Sequence, residues 1–458
     1  MIALLTALAA AGIIAMFAYM LGMWLEARVT EPLTGGWPLS MDNTLVVFAV
    51  PCLNEERVIE ETLARLRSVP IPNFVVLVID DGSDDHTAEL VNASSFPELT
   101  LFRRQLPEAR GGKGAALNAG MRWLLDSGRI DEWDPANVIV CILDADGRLE
   151  VSGLPRVLRE FEDPLVGGVQ IGVRIVNRAH RILLRLQDME FVTYTRIFQV
   201  PRSRSGYAFL GGNGQFTRLS ALLSLGDEPW SDSLTEDVDL GIRLVLQGWW
   251  TRFVPEVTVE QQGLTSIRRL VRQRSRWFQG ALQTWRLIPR VSAMSPWRVI
   301  IEFVHALLSP ALILVTTFMV LSFLTFLTGA VLSGEGRSLL LRPAVLVSWY
   351  VLTFFPALVL GLAYREGSGI GNVRLFALAH TFIVFAVTWV AAGWWATGRL
   401  IVGRRSWLKT ERTPGYEIPP VLAPRPVLVH IETAEAPTSL LFLVRRMSAD
   451  ERAEALSV

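Results

Sequence analysis

The sequence predicts an α/β protein in which a domain with a mainly parallel sheet is inserted between transmembrane helices. Short apolar runs alternate with helical patterns between residues 45 and 146, as in repeated strand–helix units. Residues 1–25 carry no charge, and three more long apolar segments begin near residue 299. The 458 residues are 51% apolar and 19% charged, with a mean hydropathy of +0.35, which is too apolar for an ordinary soluble chain.

The first apolar segment, residues 1–25, is long enough to span the ~30 Å hydrocarbon layer of a membrane. A cleaved signal peptide has a basic start and a shorter apolar region, neither of which is present. Glu26 and Arg28 end the segment. We therefore expect an N-terminal transmembrane helix.

The remaining chain divides into three parts by composition. Residues 40–285 have the texture of a globular domain and end in a basic, interfacial helix, and residues 299–398 hold the later membrane segments. Residues 399–458 open with several basic residues, which is typical of a cytoplasmic segment. Three full crossings after a cytoplasmic domain would place the C-terminus outside, so we expect two or three crossings, with one segment in doubt. The predicted location is the cell membrane, multi-pass, with the central domain in the cytoplasm.

The central domain shows its strands and helices in order. Predicted strands lie at 45–50, 74–79, 99–102 and 138–143, and predicted helices lie at 54–68, from Asp84-Asp85 onward, at 112–125 and at 235–247. Cys52 and Cys141 fall beside or within buried runs, which indicates a reducing compartment. The 44 basic and 44 acidic residues balance, so no nucleic-acid partner is expected.

Aspartates follow two of the predicted strands, at the sheet edge where ligands of such folds bind. Asp80 and Asp81 follow the second strand, and Asp144 and Asp146 follow the fourth. Either pair could be a plain turn, because aspartate favours turns. Alternatively, Asp146 with Asp144 forms a site for Mg²⁺ or Mn²⁺, since these ions prefer oxygen ligands and hold substrate phosphates.

Further polar motifs follow along the chain. Lys113, one of only two lysines, lies in a glycine-rich turn at a helix start, which favours an anion but lacks the P-loop spacing. Gly212 and Asn213 lie in a flexible run that can approach a ligand closely. Glu236 and Asp237 open a helix behind Thr235, which is also the pattern of an ordinary helix cap.

These motifs together resemble those of membrane-embedded family 2 glycosyltransferases, such as cellulose, hyaluronan, chitin and poly-N-acetylglucosamine synthases. The matching motifs, in order, are Asp80-Asp81, Asp144-x-Asp146, Thr235-Glu236-Asp237 and Gln273-x-x-Arg276-Trp277. The match runs from about residue 45 to residue 280. It implies the A-type glycosyltransferase fold, with a Rossmann-like, mainly parallel sheet. A looser match, at Trp407, Lys409, Thr410 and Arg412, resembles the gating loop of the polymerising members.

The resemblance also implies roles for individual residues. It implies that the nucleotide sugar is contacted by Asp80 or Asp81, Asp144, Gln273 and Arg276, and we add Lys113 to this set. Asp146 resembles the metal ligand nearest the diphosphate, with Asp144 beside it. Asp237 resembles the general base, with Glu236 helping to place the acceptor. Trp277 resembles the ring that stacks on the acceptor sugar, and we expect Gly212 and Asn213 to contact the acceptor as well.

The predicted reaction follows from these roles. A carboxylate base suffices to deprotonate an acceptor hydroxyl, and a metal with Arg276 would balance the charge of the departing diphosphate. One base without a carboxylate nucleophile implies inversion at the anomeric carbon. We expect a nucleotide diphosphate sugar, a UDP-sugar first, as donor and a growing polysaccharide as acceptor, extruded through the membrane helices. Transfer of one sugar to a membrane lipid is the alternative.

Other functional classes fit the sequence less well. A sugar-nucleotide hydrolase would share the metal site but would not need the Trp277 platform. A transporter needs polar residues in several membrane helices, and only Glu302, His305 and His380 qualify. A non-catalytic scaffold would tolerate the loss of Asp237, which is present.

Overall fold

A computed structural model describes residues 2–29, 41–294, 297–333, 338 and 342–403. One sheet has eight strands: β1 Leu45–Cys52, β2 Phe74–Asp80, β3 Leu99–Arg103, β4 Val138–Ile142, β5 Arg148–Leu149, β6 Val166–Ile175, β7 Gln215–Arg218 and β8 Trp250–Gln261. The strand order is β3-β2-β1-β4-β7-β6-β8-β5. β3, β2, β1 and β4 are parallel, as are β6 and β8, while β7 and β5 are antiparallel to their neighbours. The prediction of a mainly parallel sheet is confirmed.

The helices surround this sheet and extend beyond it. They are α1 Ile2–Val29, α2 Ile59–Leu66, α3 Thr87–Ala93, α4 Lys113–Asp126, α5 Leu154–Arg159, α6 Ile182–Tyr194, α7 Val200–Arg204, α8 Leu219–Leu223, α9 Glu236–Leu246, α10 Ile267–Gln283, α11 Ile288–Met294, α12 Trp297–Leu332, α13 Pro343–Ser368 and α14 Asn372–Ile401. A turn of π-helix, Thr195–Gln199, joins α6 to α7.

Both faces of the sheet are buried, which explains why its central strands are continuous apolar runs. Along β1, Val46, Phe48 and Val50 face one hydrophobic cluster, and the residues between them face another. Helix α2 covers the first face through residues such as Leu63, and α4 covers the second through residues such as Leu117. The parallel pairing of β1 with β2 and β4 places the carboxyl ends of these three strands at one edge of the sheet.

β1 continues through Pro51, two residues beyond the predicted end. In this strand the odd-numbered N–H groups point toward β4, since Leu45 N donates to Asn137 O, whereas Val46 N donates to Asn73 O on the β2 side. Pairing with β4 stops at Ala49. A residue at position 51 would direct its N–H toward β4, which no longer pairs with β1 there. Proline, which has no N–H, is therefore tolerated at this position without the loss of a sheet hydrogen bond.

Two predicted helices begin later than expected because their first polar residues bind one another. Asn54 has a positive φ of 54°, and its side-chain oxygen accepts a hydrogen bond from Asp84 N at 3.0 Å. Asp85 Oδ1 accepts from Thr87 N at 3.0 Å and so caps α3 instead of lying inside it. The residues predicted to open helices at 54 and 84 instead join the loops that follow β1 and β2.

The four predicted membrane segments coincide with long helices, α1, α12, α13 and α14. Within the ranges that the structure describes, α14 is the one helix that is both long and apolar enough to cross a membrane. It packs along α10, where the Phe278 ring lies against Gly393. α1 contacts α12 through a hydrogen bond from the Tyr19 hydroxyl to Glu302.

We predict that Gly280→Ala destabilises the protein. Gly280 of α10 lies against the residue that precedes α9, and an added Cβ would be 2.5 Å from Thr235 Oγ1 and 2.7 Å from Thr235 N. Overpacking of this kind costs ~1–3 kcal/mol, which thermal or denaturant unfolding in detergent would measure. The matched control is Gly398→Ala in α14, where no atom lies within 4 Å of the added Cβ. Equal effects of the two changes would contradict the prediction.

Candidate active site

The candidate site lies at the carboxyl ends of β1, β2 and β4, where two arginines pair with the aspartates at the end of β2. Asp80 is fully buried: its Oδ1 accepts from Ser83 N at 2.8 Å, and its Oδ2 is 3.0 Å from Arg103 Nε. Asp81 forms an ion pair with Arg104. Burial raises the pKa of Asp81, although the positive charge of Arg104 opposes this rise. Asp80 therefore braces the loop internally, while Asp81, also buried, is the more exposed of the two at 6%.

Lys113 joins three motifs that are distant in sequence. Its Nζ donates to Asp144 Oδ1 at 2.6 Å and to Gly212 O at 3.3 Å, and it lies 4.0 Å from Glu236 Oε1. Burial disfavours the charged amine, yet the carboxylates of Asp144 and Glu236 raise the pKa of Lys113 above its usual value. The side chain is therefore a cation held at the centre of an acidic site.

Glu236 and Asp237 occupy the first turn of α9, next to this cation. Burial raises the pKa of Glu236 to about 7, the neighbouring Asp237 adds to the rise, and Lys113 opposes it. Burial also raises the pKa of Asp237, and the positive charge of Lys113 again opposes the rise. Gly212 has a φ of +72°, and a Cβ there would lie 2.7 Å from Asp237 Oδ2. The glycine therefore allows the backbone to reach the carboxylate.

Asn213, predicted to contact the acceptor, instead makes internal contacts. It is 3% exposed, its Oδ1 accepts from Asp144 N at 3.2 Å, and its Nδ2 donates to Gln261 Oε1 at 3.1 Å. Gln170 in turn donates to Asn213 O at 2.8 Å and accepts from Gly211 N at 2.8 Å. Sequence analysis missed Gln170 and Gln261, because single glutamines in strands carry no recognisable pattern. In this structure Asn213 orients Asp144.

Asp144 and Asp146 lie on the turn after β4 and offer oxygen ligands to a divalent ion. Asp146 is 8% exposed and accepts a long hydrogen bond from Gln262 N at 3.4 Å, while Asp144 is partly open. Across the described ranges, no group of three or more His, Cys, Asp or Glu side chains could hold a metal. Two carboxylates still fit Mg²⁺ or Mn²⁺, which usually take further ligands from substrate phosphates and water.

Helix α10 carries the third group of predicted residues. Gln273 accepts a hydrogen bond from Arg274 Nη1 at 3.2 Å. Arg276 is close enough for its charge to oppose the rise in the pKa of Glu236. The structure thus brings Arg276 near the carboxyl pair of α9.

Trp277 packs in a buried cage around Arg274, which sequence analysis did not single out. The Arg274 guanidinium lies 4.2 Å from the Trp277 ring centroid and 5.3 Å from that of Trp389 in α14. Glu190 of α6 forms an ion pair with Arg274 and accepts a hydrogen bond from the Trp389 indole. Burial lowers the pKa of Arg274 in spite of Glu190. Trp389 of α14 therefore contacts the same arginine as Trp277. The gating-loop residues Trp407, Lys409, Thr410 and Arg412 lie outside the described residues.

We predict that Glu190→Gln destabilises the fold by about 3 kcal/mol, because it leaves the fully buried Arg274 without a counter-charge. Chemical unfolding monitored by tryptophan fluorescence would measure this change. The control is Glu228→Gln, which breaks an exposed ion pair with Arg122 at 3.0 Å and should change stability by roughly 0–1 kcal/mol. Similar small effects of both changes would show that the cage does not depend on Glu190.

Comparisons with known proteins agree with this fold. The mannosyltransferase PcManGT from Pyrobaculum calidifontis, solved with GDP-Man and Mn²⁺, superposes with a TM-score of 0.60 at 21% identity, covering 86% of this chain and 99% of that one. This similarity concerns the fold. The α/β domain thus has the fold of an A-type glycosyltransferase, as the motif resemblance implied.

Sequence relatives include enzymes with different acceptors. A beta-monoglucosyldiacylglycerol synthase from Synechocystis is 32% identical over 259 residues, which cover 56% of this chain and 51% of that protein. A poly-beta-1,6-N-acetyl-D-glucosamine synthase from Staphylococcus epidermidis is 28% identical over 239 residues, covering 51% of this chain and 54% of that protein. The chain spans about half the length of the curated relatives it matches.

The family assignment rests on the match of residues 43–280, more than half of the 458 residues, to the family described as "Glycosyltransferase like family 2". The matched segment holds every motif residue described above except those of the gating loop. The chain therefore belongs to glycosyltransferase family 2, and the protein is a glycosyltransferase.

Proposed function

We propose that the protein transfers a single sugar, with inversion, from a nucleotide diphosphate sugar to the hydroxyl of a membrane lipid. The observation that carries the proposal is the buried carboxyl pair of Glu236 and Asp237 beside the Lys113 cation, at the sheet edge that also holds Asp144 and Asp146. This arrangement supplies a base on the acceptor side and positive charge on the donor side.

On the donor side, the diphosphate would meet Lys113 and Arg276, whose charges offset the negative charge that develops on the leaving group. Asp146, with Asp144, would hold a Mg²⁺ or Mn²⁺ ion that supplies further positive charge to the diphosphate when bound. The structurally similar mannosyltransferase was solved with Mn²⁺. Asp81 and Gln273 remain the proposed contacts to the rest of a UDP-sugar.

On the acceptor side, Asp237 would take the proton of the attacking hydroxyl. Its carboxylate lies beside Gly212, whose lack of a side chain lets the loop backbone approach the carboxylate closely. Glu236 shares the buried site with Asp237, so deprotonation of the pair is coupled. In this proposal no carboxylate acts as a nucleophile. The acceptor hydroxyl therefore attacks the anomeric carbon directly as the nucleoside diphosphate leaves, and this single displacement inverts the anomeric centre.

The acceptor is proposed from the relatives and from the helices. Three beta-monoglucosyldiacylglycerol synthases are 31–32% identical to this chain, and the diacylglycerol in their name indicates a lipid acceptor. In the proposed arrangement, α1, α12, α13 and α14 lie in the cell membrane and the α/β domain lies in the cytoplasm. A lipid hydroxyl could then approach Asp237 from the membrane surface.

Polysaccharide synthesis, the expectation from sequence, is the second candidate. It is favoured by the motif of Trp407, Lys409, Thr410 and Arg412, which resembles a gating loop, and by the similarity to a poly-N-acetylglucosamine synthase. In that case Trp277 would stack on the end of the growing chain.

Product analysis would distinguish these candidates. The purified full chain, reconstituted in vesicles with diacylglycerol, would be incubated with each common labelled nucleotide sugar and a divalent ion. A single-sugar glycolipid is the expected product. Long chains cleaved by a linkage-specific glycosidase would move the assignment to polymerisation, and free sugar as the only product would indicate hydrolysis.

We predict that Asp237→Asn lowers the transfer rate by ~10²–10⁴-fold, the usual contribution of a positioned general base. The change preserves side-chain shape but removes basicity, so donor binding measured by calorimetry should survive. Asp227→Asn, at an exposed position outside the site, is the control and should retain full activity. A variant at 237 as active as this control would remove Asp237 from the base role.

We also predict an acid limb in the pH profile. Because the pKa of Glu236 is raised to about 7 and that of Asp237 is raised as well, the pair binds a proton as the pH falls below about 7. A protonated base cannot accept the hydroxyl proton, so kcat/KM should fall on the acidic side. Glu236→Gln removes one carboxyl of the pair and should shift this limb to lower pH. An unshifted limb would assign it to another group.

A further inference from the structure

A surface patch outside the active site combines positive charge with exposed apolar side chains. It lies where α6, α10 and α14 begin, and each helix start contributes one exposed arginine next to one exposed apolar residue. We call it the three-helix patch, and its residues are Arg181, Ile182, Ile267, Arg268, Val373 and Arg374. The apolar three are 59%, 60% and 85% exposed, in chain order. Such apolar residues beside arginines are typical of surfaces that contact a membrane.

The three helix starts are held together in the folded protein. Gln187 of α6 donates a hydrogen bond to Leu264 O at 2.8 Å and accepts one from Leu264 N at 3.0 Å, just before α10 begins. Apolar residues from all three starts, and from the loop that joins α13 to α14, form or pack against one hydrophobic cluster, which includes Leu186, Leu270, Ile370 and Leu375. The three starts are therefore neighbours in space, although they are far apart in sequence.

The positive charge of the patch is not offset by neighbouring carboxylates. None of its three arginines forms an ion pair within the residues that the structure describes. The segments around them, residues 176–187, 261–283 and 367–401, contain no aspartate or glutamate. The acidic residues that border these segments, Asp188, Glu260 and Glu366, are each ion-paired with arginines outside the patch. The patch therefore favours an anionic partner.

The connection between α13 and α14 relates the patch to the membrane. α13 ends at Ser368 and α14 begins at Asn372, so only three residues join them. If both helices lie in the membrane as proposed above, this short link lies at the bilayer surface, where water and headgroups can satisfy its backbone polar groups. Ile370 of the link packs against the cluster shared by α6 and α10. The starts of those two helices therefore lie at the same surface.

Building on the proposed function, which places the α/β domain against the membrane, we propose that the three-helix patch binds anionic phospholipids of the bilayer surface. Its arginines would donate to lipid phosphate oxygens, and the apolar residues beside them would contact the first carbons of the acyl chains. α10 also carries Arg276 and Trp277. The lipid contact therefore lies at one end of the helix that holds proposed donor and acceptor contacts.

The test uses the purified full chain in a neutral detergent, without any nucleotide sugar, so its result is independent of transfer activity. Native mass spectrometry would count the lipids bound during titration with phosphatidylglycerol or with phosphatidylcholine. We expect phosphatidylglycerol to bind more tightly, with an affinity that falls as added salt screens the charges. Equal binding of the two lipids would overturn the proposal. Displacement of phosphatidylglycerol by an equal concentration of inorganic phosphate would also overturn it, because the site would then recognise phosphate alone.

Variants of the patch locate the binding surface. The triple change Arg181→Gln, Arg268→Gln and Arg374→Gln should weaken phosphatidylglycerol binding on the order of a hundredfold, which is about fivefold for each arginine near an anionic lipid surface. Ile267→Ser retains every charge and should weaken binding severalfold, because it removes an apolar contact with the acyl chains. Thermal unfolding would verify that both variants are folded.

The matched control removes the same charge elsewhere on the α/β domain. It is the triple change Arg67→Gln, Arg129→Gln and Arg159→Gln, at positions that are also exposed. We expect this variant to bind phosphatidylglycerol as the unmodified chain does, within about twofold. An equal loss of binding in the two triple variants would mean that net charge alone attracts the lipid, and it would overturn the assignment to the patch.

Failure of the lipid contact and failure of the proposed function give different results. Unchanged phosphatidylglycerol binding in both patch variants would overturn the lipid contact, even if the enzyme makes glycolipid. A loss of binding confined to the patch variants would support it, even if the product were a polymer. If the triple patch variant fails to fold, Ile267→Ser alone decides between these results.

Discussion

The Lys113 ammonium group holds together an active site that would otherwise consist mainly of mutually repelling carboxylates. Asp144, Glu236 and Asp237 come from two separate elements, and all three are close enough to influence the charge of Lys113. In a poorly solvated site, like charges raise one another's pKa and favour protonation. One cation at 2.6 Å from Asp144 and 4.0 Å from Glu236 limits this effect. The protonation state of the carboxyl groups at this sheet edge thus depends on the Lys113 side chain, at the start of α4.

Close backbone contacts then fix how the remaining parts approach this centre. The absence of a side chain at residue 212 brings a loop against the Asp237 carboxylate, and the absence of one at residue 280 brings α10 against Thr235. Asn213 links the same loop to the turn after β4 through Asp144 N. The loop around residue 212, α9 and α10 are consequently positioned by close backbone contacts as much as by charged pairs.

The sequence predicts the parts of the site that follow from topology. Parallel strands end at one edge, so aspartates after β2 and β4 had to lie on the same side of the sheet. Positions that depend on three-dimensional pairing could not be predicted. The burial of Asp80, the internal role of Asn213 and the partnership of Arg274 with Glu190 each join residues far apart in the chain. Strands β6, β7 and β8 were also missed, because buried polar residues such as Gln170, Thr217 and Thr251 interrupt the apolar pattern.

The cage around Arg274 has a consequence for how the enzyme responds to its surroundings. Trp389 belongs to α14, the apolar helix, yet it donates a hydrogen bond to Glu190 and shares Arg274 with Trp277. A long apolar helix adapts to the thickness of the surrounding bilayer by tilting. If α14 lies in the bilayer as proposed, a tilt would move Trp389 and with it the Arg274 and Trp277 side chains, the latter being the proposed platform for the acceptor. Lipid chain length would then tune catalysis mechanically, without any regulatory molecule bound to the enzyme.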